Sequence, residues 1–176
     1  MTRDEKVSVL NRILHGTVNS VVQYLEVATP YVPPFCEARM AELKKMRDEE
    51  AHTANELVAL VGELEGVPQV EVFPYWNVDL NYLDVRFLAR FAAEHAAKFV
   101  AEIEGALPDL RDDPKLHEAL GRILAEKRAH LAALQSIAGI PTPPPDPERA
   151  KRAVPAESQN VPRPVRAAKP APRAKG

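Results

Sequence analysis

Fifteen residues that lack helical periodicity, EGVPQVEVFPYWNVD at positions 65–79, lie between two long amphipathic stretches and decide how this chain can close. The stretch before them, about residues 35–64, places Leu43, Met46, Leu57, Leu60 and Leu64 at helical spacing. At 1.5 Å per residue such a helix is roughly 45 Å long. Fifteen extended residues reach roughly 50 Å. The connection is therefore long enough to travel the length of its own helix and start the next one back at the other end.

Three further stretches show the same periodicity. About residues 4–28 carry Leu10, Leu14, Thr17, Val21 and Tyr24 on one stripe. About residues 80–107 carry Leu83, Phe87, Leu88, Phe91, Phe99 and Ile103, and about 114–138 carry Leu116, Leu120, Ile123, Leu131, Leu134 and Ile137. TPYVPP, with Pro30, Pro33 and Pro34, ends the first helix, because proline cannot continue one. Gly66 stands where helices commonly end, with Pro68 beyond it. Before the fourth helix, DDP offers an aspartate cap and a proline in the first turn. Short first and third connections make those helix pairs antiparallel. The expected fold class is all-α: an antiparallel four-helix bundle with one long crossover, over residues 1–140. VEVF at 70–73 has no partner strand, and Tyr75-Trp76 reads as a cover packed on the bundle.

The remainder, 141–176, has a different composition. It holds ten of the 17 prolines and eight Lys/Arg against three acids, a charge of +5 that leaves the body at −7. With so few large apolar residues it is expected to be a disordered basic tail. Such a tail suits a protein or polyanion partner. Nowhere do 18 apolar residues run together, so no membrane span is expected. MTRDEKVSVLNRILHG has acids where a signal peptide has an apolar run, and the single Cys36 excludes an internal disulfide framework. Both point to the cytoplasm, with Cys36 a partly buried spacer in its turn. No phosphate loop, Cys pair or nucleophile elbow is present.

LNRILHGTVNSVVQYL, RDEEAHTANELVALVGELEGVPQV and ILAEKRAHLAAL resemble, in order and spacing, three helices of bacterioferritin-like proteins of the ferritin-like superfamily. The LN…QY frame at Leu10–Tyr24 and the LEG-x-P ending at Leu64–Pro68 are the most specific matches, and the resemblance covers residues 7–137. It implies a ferritin-like bundle, iron storage or oxidation, and a homo-oligomer. In that family four glutamates and two histidines hold two irons inside the bundle. Carried over by position, the helix-one glutamate falls on Thr17 and the helix-four glutamate on Lys127. Glu49 and His52 match on helix two and His130 on helix four. On helix three Glu94 is the candidate, with an alternative register at Ala92. Glu50 stands where haem-binding relatives keep methionine, so no haem is expected.

The substitutions leave alternatives open. Helical spacing turns Lys127 inward, where its ammonium would attract Glu49 and Glu94 and take the place of one metal; otherwise it reaches along the helix to water. Glu49, His52, Glu94 and His130 would suit a single iron, zinc or manganese ion. On helix two, however, the apolar stripe is centred nearer Glu50 and Thr53, leaving His52 on its flank. His95, amid Leu88, Phe91 and Phe99, reads as a core histidine, and His15 and His117 as surface residues. Three functions follow: a non-catalytic bundle acting through assembly or partner binding, a metal-binding iron-handling or oxidoreductase protein with a reduced site, and a tail-mediated polyanion binder.

Overall fold

The computed structural model describes residues 1–26, 30–70 and 82–139. Four helices make up the bundle: α1, Arg3–Val18; α2, Glu37–Glu63; α3, Val85–Ala106; and α4, Pro114–Ala138. Single 3₁₀ turns occur at Gln23–Glu26, Pro34–Cys36 and Leu107–Leu110. Each long helix starts or ends on a chemical signal. Thr2 and Glu5 form a reciprocal capping box at α1, Asp84 accepts from the Arg86 N–H at α3, and Asp113 accepts from the Leu116 N–H at α4, ahead of Pro114.

Two helices are shorter than their apolar spacing suggests. α1 stops at Val18, although Val21 and Tyr24 continue its stripe and are buried. The Asn19 side chain donates to the His15 carbonyl at 3.1 Å, and Ser20 Oγ accepts from the Gln23 N–H at 3.2 Å. Side chains that compete for backbone bonds in this way open a helix. Apolar spacing reports burial, and here a turn achieves the burial that a helix would have. α3 begins at Val85 because the chain on either side of the Asp84 cap bonds elsewhere: Tyr31 N–H donates to the Leu83 carbonyl at 2.9 Å, and Val85 N–H to the Tyr31 carbonyl at 3.1 Å. At the end of α2, Glu65, not Gly66, takes the left-handed conformation, with φ 54°. The Gly66 N–H bonds the Val61 carbonyl and the Glu65 N–H bonds the Gly62 carbonyl, both at 2.9 Å, which is a Schellman closure. Gly66 is needed for space instead, since a Cβ there would lie 2.7 Å from Val7 Cγ1.

Contacts between the ends establish the topology. Arg3 at the start of α1 meets Glu65 just beyond the end of α2 at 2.6 Å, while Gln23 reaches the Arg47 carbonyl at the other end at 2.8 Å. Lys115 and Glu63 pair the start of α4 with the end of α2 at 2.5 Å. The Tyr31 bridge puts the start of α3 beside the α1–α2 turn, so α2 and α3 run parallel. That is the one-crossover arrangement. Asn11, buried on α1, holds the departing crossover by donating to the Val67 carbonyl at 3.0 Å and accepting from the Gln69 N–H at 2.9 Å. Most of the crossover (residues 71–81, with Tyr75-Trp76 and most of VEVF) and the basic tail from 141 lie outside the described residues.

Two apolar clusters fill the bundle. One gathers Leu10, Ile13, Leu14, Leu57, Ile103 and Leu120; the other gathers Val21, Tyr24, Cys36, Leu43, Leu88, Leu134 and Ile137. Cys36 is fully enclosed rather than partly buried, and Phe87, assigned to the stripe by spacing, is exposed. Between the clusters α1, α2 and α4 change character, and the buried polar residues Thr17, Glu50, Thr53, Lys127 and His130 occupy that level, while α3 presents only apolar buried residues.

Candidate functional site

On α2 the spacing Met46, Glu50, Thr53, Leu57 follows one face, so the helix that buries its leucines must also bury Glu50. On α4 the same logic carries Ile123, Lys127, His130 and Leu134 inward. Glu50 is 5% exposed and Lys127 3%. The Lys127 Nζ donates to Glu50 Oε1 at 3.0 Å and lies 3.4 Å from Glu126 Oε1. Ser20 Oγ donates to Glu50 Oε2 in a short hydrogen bond, and the break after α1 brings it there. Thr53 Oγ1 donates to Glu126 at 2.9 Å.

His130 bridges to the seam between α2 and α4. Its Nε2 meets Glu49 Oε2 at 2.9 Å, and its Nδ1 stands 3.9 Å from Glu50 Oε1, beyond hydrogen-bond length. That Nδ1 is buried and has no hydrogen-bond partner. Burial opposes charge on Glu50, yet the facing His130 and Lys127 outweigh it and hold its pKa below the ordinary carboxylate value. Since 3.9 Å is too far for a direct bond, the His130 contribution is electrostatic. Burial likewise works against the imidazolium of His130; Glu50 and Glu49 overcome it, and its pKa is raised. Glu49, half-exposed, is lowered chiefly by its bond to His130.

The four candidate metal ligands do not converge. Glu49 and His130 touch, but His52 and Glu94 are exposed on outer faces. The reason is angular: Glu50 and Thr53 occupy the inward stripe of α2, leaving Glu49 on its shoulder and His52 outside. On α3 the inward position is Ala92, not Glu94. Lys127 is inward as its spacing demands, but its carboxylate is Glu50, not Glu49 or Glu94. His95 is exposed and lies tilted against Phe91, with ring centroids 4.6 Å apart, instead of sitting in the core. Ser20 and Glu126 had no sequence signal, whereas the stripe on α2 did point to Glu50 and Thr53.

A cavity of about 320 Å³ adjoins the cluster between α1, α3 and α4, with Glu50, Lys127 and His130 in its wall. Gly16 lets α3 approach on that side; a Cβ there would fall 2.3 Å from the Phe99 ring.

The X-ray structure of Desulfovibrio desulfuricans bacterioferritin superposes with a TM-score of 0.58 at 16% identity, covering 77% of this chain and 79% of that one. The fold is ferritin-like. No family model and no curated protein matches the sequence. That bacterioferritin is described with a di-iron site in different catalytic states. The centre of this ferritin-like bundle does not fit a metal pair. Thr17 Oγ1 is bonded to its own helix at the Ile13 carbonyl at 2.9 Å, Ala92 offers no donor, and Lys127 adds a positive charge. Among the described residues Glu50 is the one enclosed carboxylate, and its oxygens already face Lys127 and Ser20. Among the described residues, no group of three or more His, Cys, Asp or Glu is placed to hold a metal ion. Nor is any described helix long and apolar enough to cross a membrane.

Proposed function

We propose that this protein is a non-catalytic ferritin-like bundle that acts through self-assembly or the binding of a partner. The observation that carries the reading is the enclosed Lys127–Glu50 pair at 3.0 Å. A buried carboxylate needs a nearby positive charge, since an unpaired one costs several kcal/mol. Where a metal pair would supply that charge, Lys127 supplies it from within the chain. The ammonium also repels an incoming cation at close range, so ferroxidase chemistry has no place to start. What remains is a scaffold that needs no metal to complete its core, with the basic 141–176 segment as a means of holding an acidic partner.

The test is elemental mass spectrometry on untagged protein loaded anaerobically with ferrous iron, together with light scattering for mass. The expected result is no iron above background and an oligomer or stable complex. Two irons per chain would sink the proposal. A second reading is a reduced site for one iron, zinc or manganese ion, favoured by the Glu49–His130 contact at 2.9 Å on the α2–α4 seam. It requires about one metal per chain, lost in His130→Ala. Polyanion binding through the tail would instead appear as affinity that falls steeply with salt and is lost on truncation at 141.

A further inference from the structure

The 320 Å³ cavity beside the polar cluster has the size of a small-molecule pocket, which typically spans about 300–1,000 Å³. Most of the wall area is apolar and comes from small side chains and one ring, Gly16, Val21, Val22, Ala92, Ala96 and Phe99, while Asn19, His95, Lys98 and Glu102 add polar groups to the lining. Its polar floor is Glu50, Lys127 and His130. His130, 6% exposed, carries a buried Nδ1 with no hydrogen-bond partner. The gap from that Nδ1 to Glu50 Oε1, 3.9 Å, is too wide for a direct bond. One oxygen atom set beside that gap, with legs of about 2.8 Å, bonds both groups at an angle near 90° at the oxygen.

From this gap and these walls we infer that the cavity is a binding site for a small neutral molecule with a hydroxyl head and a flat apolar body, of the phenol or naphthol class. The hydroxyl oxygen accepts from His130 Nδ1 and donates to Glu50 Oε1. A carboxylate head is disfavoured because it brings a second anion against Glu50. An ammonium head is disfavoured because Lys127 already holds that same oxygen at 3.0 Å. Neutral and amphoteric, a hydroxyl meets both neighbours without changing the charge of the cluster. The small side chains of Ala92 and Ala96 leave room for a ring to lie against Phe99. The site lies outside the partner-binding role proposed above and is independent of it.

The experiment is a titration of the full chain with 2-naphthol and, separately, with naphthalene, followed by calorimetry and by the ¹⁵N signal of the His130 ring. The expected result is one saturable site for 2-naphthol, a shift of the His130 Nδ1 signal, and affinity for naphthalene weaker by about tenfold, the worth of one net hydrogen bond. Ala96→Phe, which fills the cavity from α3 and leaves the floor untouched, is expected to abolish binding. Equal affinities would overturn the inference by reducing the cavity to an apolar void. Absence of saturable 2-naphthol binding would overturn it too, leaving water as the occupant. Retained binding in a folded Ala96→Phe protein would place the ligand elsewhere. The naphthol–naphthalene comparison uses the unsubstituted chain, so it decides the matter even if the variant does not fold.

Discussion

Leu57 and Lys127 are enclosed by the same four helices, at 0% and 3% exposure, but the surroundings serve them differently. Leu57 belongs to a cluster in which neighbours are interchangeable in kind: any well-shaped apolar side chain contributes, and burial itself stabilises by about 1.5–3 kcal/mol per large residue. Lys127 belongs to a layer in which each member depends on a particular partner. Glu50 requires Lys127, Ser20 completes Glu50, and His130 sits between Glu49 and Glu50. The apolar halves hold the bundle together; the polar layer mostly avoids a penalty. Ion pairs of this sort are weak evidence for stability, because their desolvation offsets their attraction.

The sharpest way to break this comparison is to remove one partner. Lys127→Met keeps the volume of the side chain and leaves Glu50 enclosed without its cation. The expected loss is about 3–5 kcal/mol, read as a lowered urea midpoint. The double variant Lys127→Met with Glu50→Leu is expected to recover most of that loss and can exceed the native stability. If the double variant is no better than the single, the layer contributes net stabilisation, as the apolar clusters do.

Truncation in the apolar half is the counterpart. Leu120 is fully buried, and Leu120→Ala is expected to cost about 2–5 kcal/mol by the same measurement. Here no second substitution restores the loss by removing a partner, since no single partner exists. A rescue as complete as that expected for Lys127→Met would erase the distinction between the two regions.

These two regions also differed in how readable they were. The four helices and the single long crossover followed from apolar spacing and from the lengths of the connections, because burial imposes a period on the sequence; the same spacing put Lys127 on the inward stripe but left open whether its ammonium stays there or reaches water. The Asp113–Pro114 start of α4 was equally plain, being local chemistry. The partners in the polar layer were not. A rotation of α2 by one residue, about 100°, exchanges Glu50 for Glu49. The resemblance pointed to Glu49 and His52, whereas the leucine stripe pointed to Glu50 and Thr53; the stripe was the better guide because packing decides which face is buried. Ser20 was beyond reach for another reason. It meets Glu50 only because α1 opens at Asn19, and the continuing apolar spacing through Val21 and Tyr24 concealed that break.

Titration sharpens the comparison with a smaller effect. The pKa of His130 is raised above the ordinary 6.5 by Glu50 and Glu49 against the cost of burial. Its contribution to stability is therefore fully present below about 6.5 and is lost as pH rises through the raised folded value. Glu49 and Glu50 have lowered values, so their contribution is present above the ordinary 4.5 and is lost as pH falls through the folded values. Stability from the layer should be greatest between about pH 4.5 and 6.5. Urea midpoints measured from pH 6 to 9 should fall in the native chain and fall less in His130→Gln. A profile that rises with pH over that range would mean that His130 is neutral in the folded state.

The smallest effect belongs to a charge pair that resembles the buried one in chemistry alone. Arg128 Nη2 lies 2.7 Å from Glu104 Oε1, a shorter contact than that of Lys127 with Glu50, but the two side chains are 58% and 42% exposed. Water already solvates both ions there, so closing the pair gains little and removing it strands nothing. Arg128→Ala is expected to change stability by less than about 1 kcal/mol, and added salt should reduce even that. The Lys127→Met loss should hardly respond to salt, because the site excludes the screening ions. Measured side by side at low and high salt, the two substitutions separate distance from burial. If Arg128→Ala proved as costly as Lys127→Met, proximity of charges rather than enclosure would govern this bundle, and the account of its centre would have to change.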